Sequence, residues 1–171
     1  ILVDSRHADR RCEIRTGLAG RKRQRPAQDR VTMKQTQHTL TVQTQGQGLY
    51  EITGKVCGWV SNQGIEEGLL TVYCAHTSAS LTIQENADPD VMRDIESFFS
   101  KLGREDPSLY RHTMEGPDDM PAHIKSALTD VSLSIPVAAG KPMLGTWQGL
   151  YLFEHRLNSQ SRKIIFHFIG N

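Results

Sequence analysis

Two runs rich in β-branched and aromatic residues, 69–75 and 80–85, are separated by only four residues, His76, Thr77, Ser78 and Ala79. A parallel pair of strands needs a crossover of about a dozen residues or more. So short a link excludes a βαβ unit at the centre of the chain and predicts that the second run lies antiparallel beside the first. Further strand-like runs occupy residues 37–44, 131–137, 150–156 and 163–169, the last two joined by a turn-like segment at 158–161. Leu49, Ile52, Val56, Trp59 and Val60 fall at helical spacing, and Asn62 with Gly64 supplies a stop. Asp88-Pro89 caps a helix reaching to about Lys101, with Val91, Ile95, Phe98, Phe99 and Leu102 on one face. Asp118-Asp119-Met120-Pro121 opens another, with Ile124 and Leu128 directed inward. The expectation is an α+β fold, mostly antiparallel, with about six or seven strands and three helices. Neither a GxGxxG after a strand nor a P-loop is present.

The charge is unevenly distributed. Residues 1–32 hold nine Lys or Arg against four acids, a net +5, whereas residues 33–171 hold eleven against fifteen, a net −4. The first segment has almost no apolar pattern with which to offset the entropy of ordering. It reads as a basic extension, non-native or disordered, upstream of a start at Met33, with one folded domain over 33–171. A net charge of +1 for the whole chain argues against a nucleic-acid partner. No apolar run approaches the length of a membrane span. Cys12, Cys57 and Cys74 form no CxxC or disulfide framework, which suits buried thiols in a reducing compartment and predicts a cytoplasmic protein.

Three dense polar clusters interrupt the strand and helix patterns. The first is His76-Thr-Ser78-Ala-Ser with Glu85-Asn86 one strand later; by local sequence, His76 and Ser78 satisfy turn backbone groups. The second runs from His112 through Glu115-Gly-Pro-Asp-Asp119-Met-Pro-Ala-His123-Ile-Lys125. Its ordinary reading is a solvated acidic loop capping a helix. Equally, His123 in the first helical turn stays neutral beside the positive helix end, free to act as ligand or base. Ten residues between the two histidines match no standard zinc spacing. The third is Gly145-Thr-Trp147-Gln-Gly149, leading into Glu154-His155-Arg156. Trp147 reads as core or as a platform for a flat heteroaromatic ring, and Glu154–Arg156 as a surface pair. His38 and His167 lie within strand patterns and read as structural.

Taken together, these three motifs closely resemble the YjbQ family, over about Met33 to Asn171. The resemblance implies a two-sheet β-sandwich with flanking helices and a homotrimer around a threefold axis. It implies a secondary thiamine-phosphate synthase, which joins an aminopyrimidine methyl diphosphate to a thiazole phosphate and releases pyrophosphate. It also implies a divalent metal, zinc or magnesium, held by His112, His123 and His155. Lys125, Arg156 and the helix end near His123 would neutralise the leaving diphosphate. Trp147, Glu85, Asn86 and Ser78 would hold the substrate, and His76, Glu85 and Asp119 would act in catalysis. If so, the three histidine rings converge with nitrogens about 3–4.5 Å apart. His76 and Glu85 then line the same cleft, with Trp147 and Arg156 at its mouth. Two other functions remain open: a metal-dependent hydrolase of a phosphorylated or acylated metabolite, with Glu115 or Asp119 as base, and a non-catalytic trimer that binds a small anionic metabolite.

Overall fold

The computed structural model describes residues 32–171. The basic extension expected over residues 1–32 therefore lies, apart from Thr32, outside the described residues. Along the described chain run β1 (Lys34–Gln43), β2 (Gly48–Glu51), α1 (Thr53–Ser61), β3 (Gly68–Cys74) and β4 (Ala79–Glu85). Next come α2 (Pro89–Leu102), a 3-10 turn (Pro107–Leu109) and α3 (Asp119–Ala127). The chain finishes with β5 (Ser132–Ala138), β6 (Lys141–Pro142), β7 (Gln148–Glu154) and β8 (Ser161–Gly170). The strands form a five-stranded sheet in the order β1-β8-β3-β5-β6 and a three-stranded sheet in the order β2-β7-β4. Every pairing is antiparallel. The fold is thus α+β, two sheets with helices, with eight strands among the described residues rather than six or seven.

The short link between β3 and β4 does not make a hairpin. β3 pairs with β8 and β5 in the large sheet, whereas β4 pairs with β7 in the small one. His-Thr-Ser-Ala offers no Gly or Asn for the positive φ of a tight hairpin turn. Instead it carries the chain from one sheet to the other. Both strands then turn their apolar rows inward, Leu70, Val72 and Cys74 from β3, Ala79 and Leu81 from β4. The rows meet Leu150 and Leu152 of β7 and Ile164, Phe166 and Phe168 of β8 in one core, which Ile52, Val56 and Val60 close from the α1 side. Each such side chain contributes about 1.5–3 kcal/mol by leaving water. At the far edge Gly68 pairs with Gly170, and a Cβ on Gly170 would lie 2.0 Å from the Glu67 carbonyl oxygen, so only glycine fits.

Two helix expectations change in detail. The spacing that began at Leu49 conceals a strand: Leu49 to Glu51 pair with β7, and the helix starts at Thr53, whose Oγ1 accepts the Leu150 N–H at 2.9 Å. α3 does not bury Leu128, which is exposed; its inward side is Pro121, Ala122, Lys125 and Ser126. No helix among the described residues is long and apolar enough to cross a membrane.

Candidate functional site

Asp119 and His123 lie one turn apart on α3, so their side chains share a face. His112 comes from the loop before that helix and folds back onto it. Its Nε2 stands 2.7 Å from Asp119 Oδ2, and His123 Nε2 stands 3.3 Å from the same oxygen. The two imidazole rings meet edge to face, 5.7 Å apart. One nitrogen or oxygen from each of His112, Asp119 and His123 falls within 4.8 Å of the others. Asp119 is buried, while both histidines keep solvent access.

The group is held from outside by hydrogen bonds. His123 Nδ1 lies 3.0 Å from the Thr77 carbonyl oxygen. A carbonyl only accepts, so Nδ1 carries the proton and a neutral ring turns its Nε2 lone pair toward Asp119. Two acceptors 3.3 Å apart need a positive centre between them, a proton or a metal ion. Arg156, just past β7, donates from Nη1 to Asp119 Oδ1, from Nε to Asp118 Oδ2 at 2.9 Å and from Nη2 to the Glu115 carbonyl at 2.8 Å. Burial pushes the Asp118 carboxyl up, but the Leu157 amide and the Arg156 guanidinium outweigh it and hold the carboxyl below its usual range. Arg156, expected to bind a substrate phosphate, is thus committed to fixing Asp118 and Asp119. Asp118 in turn makes no N-cap hydrogen bond to its own helix.

The third member of the group is Asp119 and not His155. His155 follows β7 into the interior, where its Nε2 lies 2.8 Å from Ser80 Oγ. Burial, followed by the charges of Lys125 and Arg162, lowers its pKa to about 3, so the ring is neutral. Lys125, on a side of α3 away from His123, is also pulled down by burial, against the opposing pull of Glu105 and Asp118.

His76 does reach the His123 side. A cavity of about 450 Å³ is lined by Tyr73, His76, Thr77, His123, Ser126 and Val131. His76 Nε2 accepts the Lys163 N–H at 2.7 Å, and burial with the Arg162 charge lowers its pKa. Ser78 Oγ accepts from Arg162 Nη2 at 3.2 Å. Glu85, Asn86 and Trp147 lie elsewhere. β4 starts beside the histidines and ends at Glu85, six steps or about 20 Å away. There Glu85 pairs with Gln148, Asn86 N–H bonds the Trp147 carbonyl at 2.9 Å, and Trp147 is 63% exposed rather than core.

Sequence reasoning missed Arg162 and misplaced Glu154. Glu154 is not a surface residue paired with Arg156. It is fully buried, and its carboxylate accepts Arg162 Nε at 2.7 Å, Arg162 Nη2, Thr44 Oγ1 at 2.9 Å and the His155 and Arg156 amides. Period-two reading of β8 contained the signal, because Arg162 shares its inward row with Ile164, Phe166 and Phe168.

The profile of the family described as UPF0047 protein YjbQ-like matches residues 38–171. The chain belongs to the YjbQ family. Among its relatives, the UPF0047 protein sll1880 of Synechocystis is 50% identical over 140 residues, 82% of this chain and 95% of that protein. The UPF0047 protein YjbQ of Salmonella typhimurium is 46% identical over 130 residues, 75% and 94% of the two chains. Among solved structures, a YbjQ-like protein of unknown function from Sulfolobus solfataricus superposes with a TM-score of 0.75 at 26% identity, covering 82% of this chain and all 100% of that one. The match to the YjbQ family thus spans all three polar clusters and the two-sheet fold that holds them.

Proposed function

We propose that this YjbQ-family protein is a metal-assisted enzyme that cleaves a bond to a phosphate or diphosphate group on a small metabolite. The observation that carries this reading is the orientation of His123: with Nδ1–H fixed on the Thr77 carbonyl, its Nε2 faces Asp119 Oδ2 at 3.3 Å. His112 offers a further nitrogen to the same oxygen, and the three ligand atoms within 4.8 Å of one another would hold a divalent ion. Two imidazoles and a carboxylate suit zinc better than magnesium, which prefers oxygen donors. A divalent ion held by His112, Asp119 and His123 supplies Lewis-acid charge to a phosphate oxygen. Arg156 fixes the carboxylate, Thr77 fixes the His123 tautomer, and the adjoining cavity with His76 on its wall receives the substrate body.

The acceptor distinguishes two chemistries. In the thiamine-phosphate synthase reaction the thiazole nitrogen bonds to the aminopyrimidine methyl carbon as its C–O bond breaks and pyrophosphate leaves; in hydrolysis water takes the place of the thiazole and phosphate or pyrophosphate leaves. The separation of Trp147, Glu85 and Asn86 from the histidines favours water within one chain. The test is metal content by mass spectrometry, together with phosphate release and thiamine-phosphate formation. Stoichiometric zinc that is lost in His123→Ala, with turnover down by about 100-fold or more, is the expected result. Absence of zinc binding in the wild type, or full turnover in both His112→Ala and His123→Ala, overturns it. Synthase turnover that depends on Trp147 would instead mean that a neighbouring copy supplies the ring site. We propose that copies meet as a homotrimer through the outer face of the large sheet, where Leu69, Tyr73 and Ile169 are exposed on β3 and β8.

A further inference from the structure

A second cavity, of about 360 Å³, lies between α2, α3 and the end of β7. Lys125, His155, Phe99, Phe153, Arg93 and Gln47 are among the residues that line it. Two of them are buried and lack partners. Lys125 is 2% exposed, and its ammonium, which keeps slight solvent contact through the cavity, makes no hydrogen bond or ion pair with a described residue. The acids that act on it, Glu105 and Asp118, do so only through space, and Asp118 is already engaged by Arg156. His155 is 1% exposed, and its Nδ1 is a buried polar atom with no hydrogen-bond partner.

The polarity of that nitrogen follows from Ser80. The Ser80 hydroxyl has His155 Nε2 as its side-chain partner and no other acceptor among the described residues. Were Nε2 to donate, the hydroxyl hydrogen and the Nδ1 lone pair would both be left over. With Ser80 donating, only Nδ1–H is left over, and leaving a buried polar group unmade is costly. The cavity therefore presents two donors, an ammonium and an imidazole N–H, with no acceptor to meet them. The two carboxylates in the lining do not fill that role: Glu154 is saturated by Arg162, Thr44 and the His155 and Arg156 amides, and Glu96, which takes the Leu49 N–H at 2.9 Å, makes no hydrogen bond or ion pair with Lys125 or His155.

We propose that this cavity binds an organic oxyanion, a carboxylate or phosphate on a small metabolite. The anionic oxygens sit between Lys125 Nζ and His155 Nδ1, and the organic body lies against Phe99 and Phe153. A single anion satisfies both donors at once. Arg93, exposed at the rim, is neutralised by Asp90, so the charge that meets the anion is that of Lys125 inside the cavity. The site is distinct from the His112–Asp119–His123 group and does not rest on the metal reading.

The test uses the full chain with inorganic phosphate and phenyl phosphate as probes, followed by calorimetry and thermal melting. Wild type binds both saturably, phenyl phosphate more tightly, and its melting temperature rises with each. Lys125→Met keeps the volume and removes the charge. It binds about 10–100-fold more weakly, and without ligand it melts no lower than wild type, because it removes an unpaired buried ammonium. His123→Ala keeps the phosphate response even where metal is lost, which separates this site from the metal-dependent one. A phosphate response that survives in Lys125→Met but vanishes in His123→Ala places the anion at the other site and overturns the proposal. So does the lack of saturation by either probe in the millimolar range.

Discussion

His155 shows how a single residue couples burial to acid sensitivity. In the folded chain its pKa is lowered to about 3, first by burial and then by Lys125 and Arg162. In the unfolded chain it titrates near 6.5. Between those two values the unfolded chain takes up a proton that the folded chain refuses. The stability this group contributes is therefore complete above about pH 6.5 and is lost as pH falls toward about 3, at about 1.4 kcal/mol per pH unit. Urea unfolding of His155→Gln, compared with wild type between pH 6 and pH 4, should show a flatter dependence. Equal slopes would mean that His155 is not buried as a neutral ring. The residue scale also shows where sequence reading succeeds and stops. Asp119 and His123 stand at i, i+4 after a recognisable helix start, so their shared face is visible in the sequence. Alternation along β7 put His155 in a row with Tyr151 and Phe153, but alternation does not reveal that β7 is covered on both faces. The family resemblance implies a metal role for His155, whereas its ring turns to Ser80.

Glu154 and Arg162 act at the scale of elements, because β7 and β8 belong to different sheets and this ion pair joins them. Both residues are buried, and the guanidinium also reaches the Ser78 carbonyl and hydroxyl beside His76. Removing one partner strands the other charge in the interior. Arg162→Met should cost about 3–5 kcal/mol, while the double variant Glu154→Leu with Arg162→Met should recover most of that loss. A double-mutant cycle by urea denaturation measures the coupling; a loss below about 1 kcal/mol in Arg162→Met would show the pair to be energetically idle. Elements with local signals are legible in the sequence. α2 begins where Asp88 accepts the Asp90 N–H at 2.9 Å, followed by Pro89, as its capping sequence indicates. Pairing is another matter. The link after β3 is short, and proximity in sequence predicts a neighbour, but the partners of β3 and β4 are fixed by distant strands. The same non-local choice made Leu49 to Glu51 a strand despite their helical spacing, because β7 offers them a free edge.

At the scale of the whole molecule, the outer face of the large sheet carries an exposed apolar strip among polar neighbours such as Thr71, Lys163 and His167. Leu69 and Ile169 pair across β3 and β8 at 43% and 37% exposure, and Tyr73 continues the row at 44%. Large apolar side chains at the centre of a sheet call for a covering layer. Light scattering should give a trimer, and Leu69→Lys with Tyr73→Lys should yield monomers with an unchanged far-UV spectrum. A monomeric wild type, or a trimeric double variant, would exclude this face as the contact. The order of the large sheet has a consequence for biosynthesis as well. β1 has one neighbour, β8, and Gln43 meets Ser161, 118 residues later. On the ribosome β1 emerges long before its partner and must wait, unpaired, while nearly all the remaining strands are made. An apolar strand in that position would invite the nascent chain to pair with others. Lys34-Gln-Thr-Gln-His-Thr-Leu-Thr-Val-Gln43 has only two aliphatic residues in ten. Its polarity lets it stay hydrated through translation until the final strand arrives to claim it.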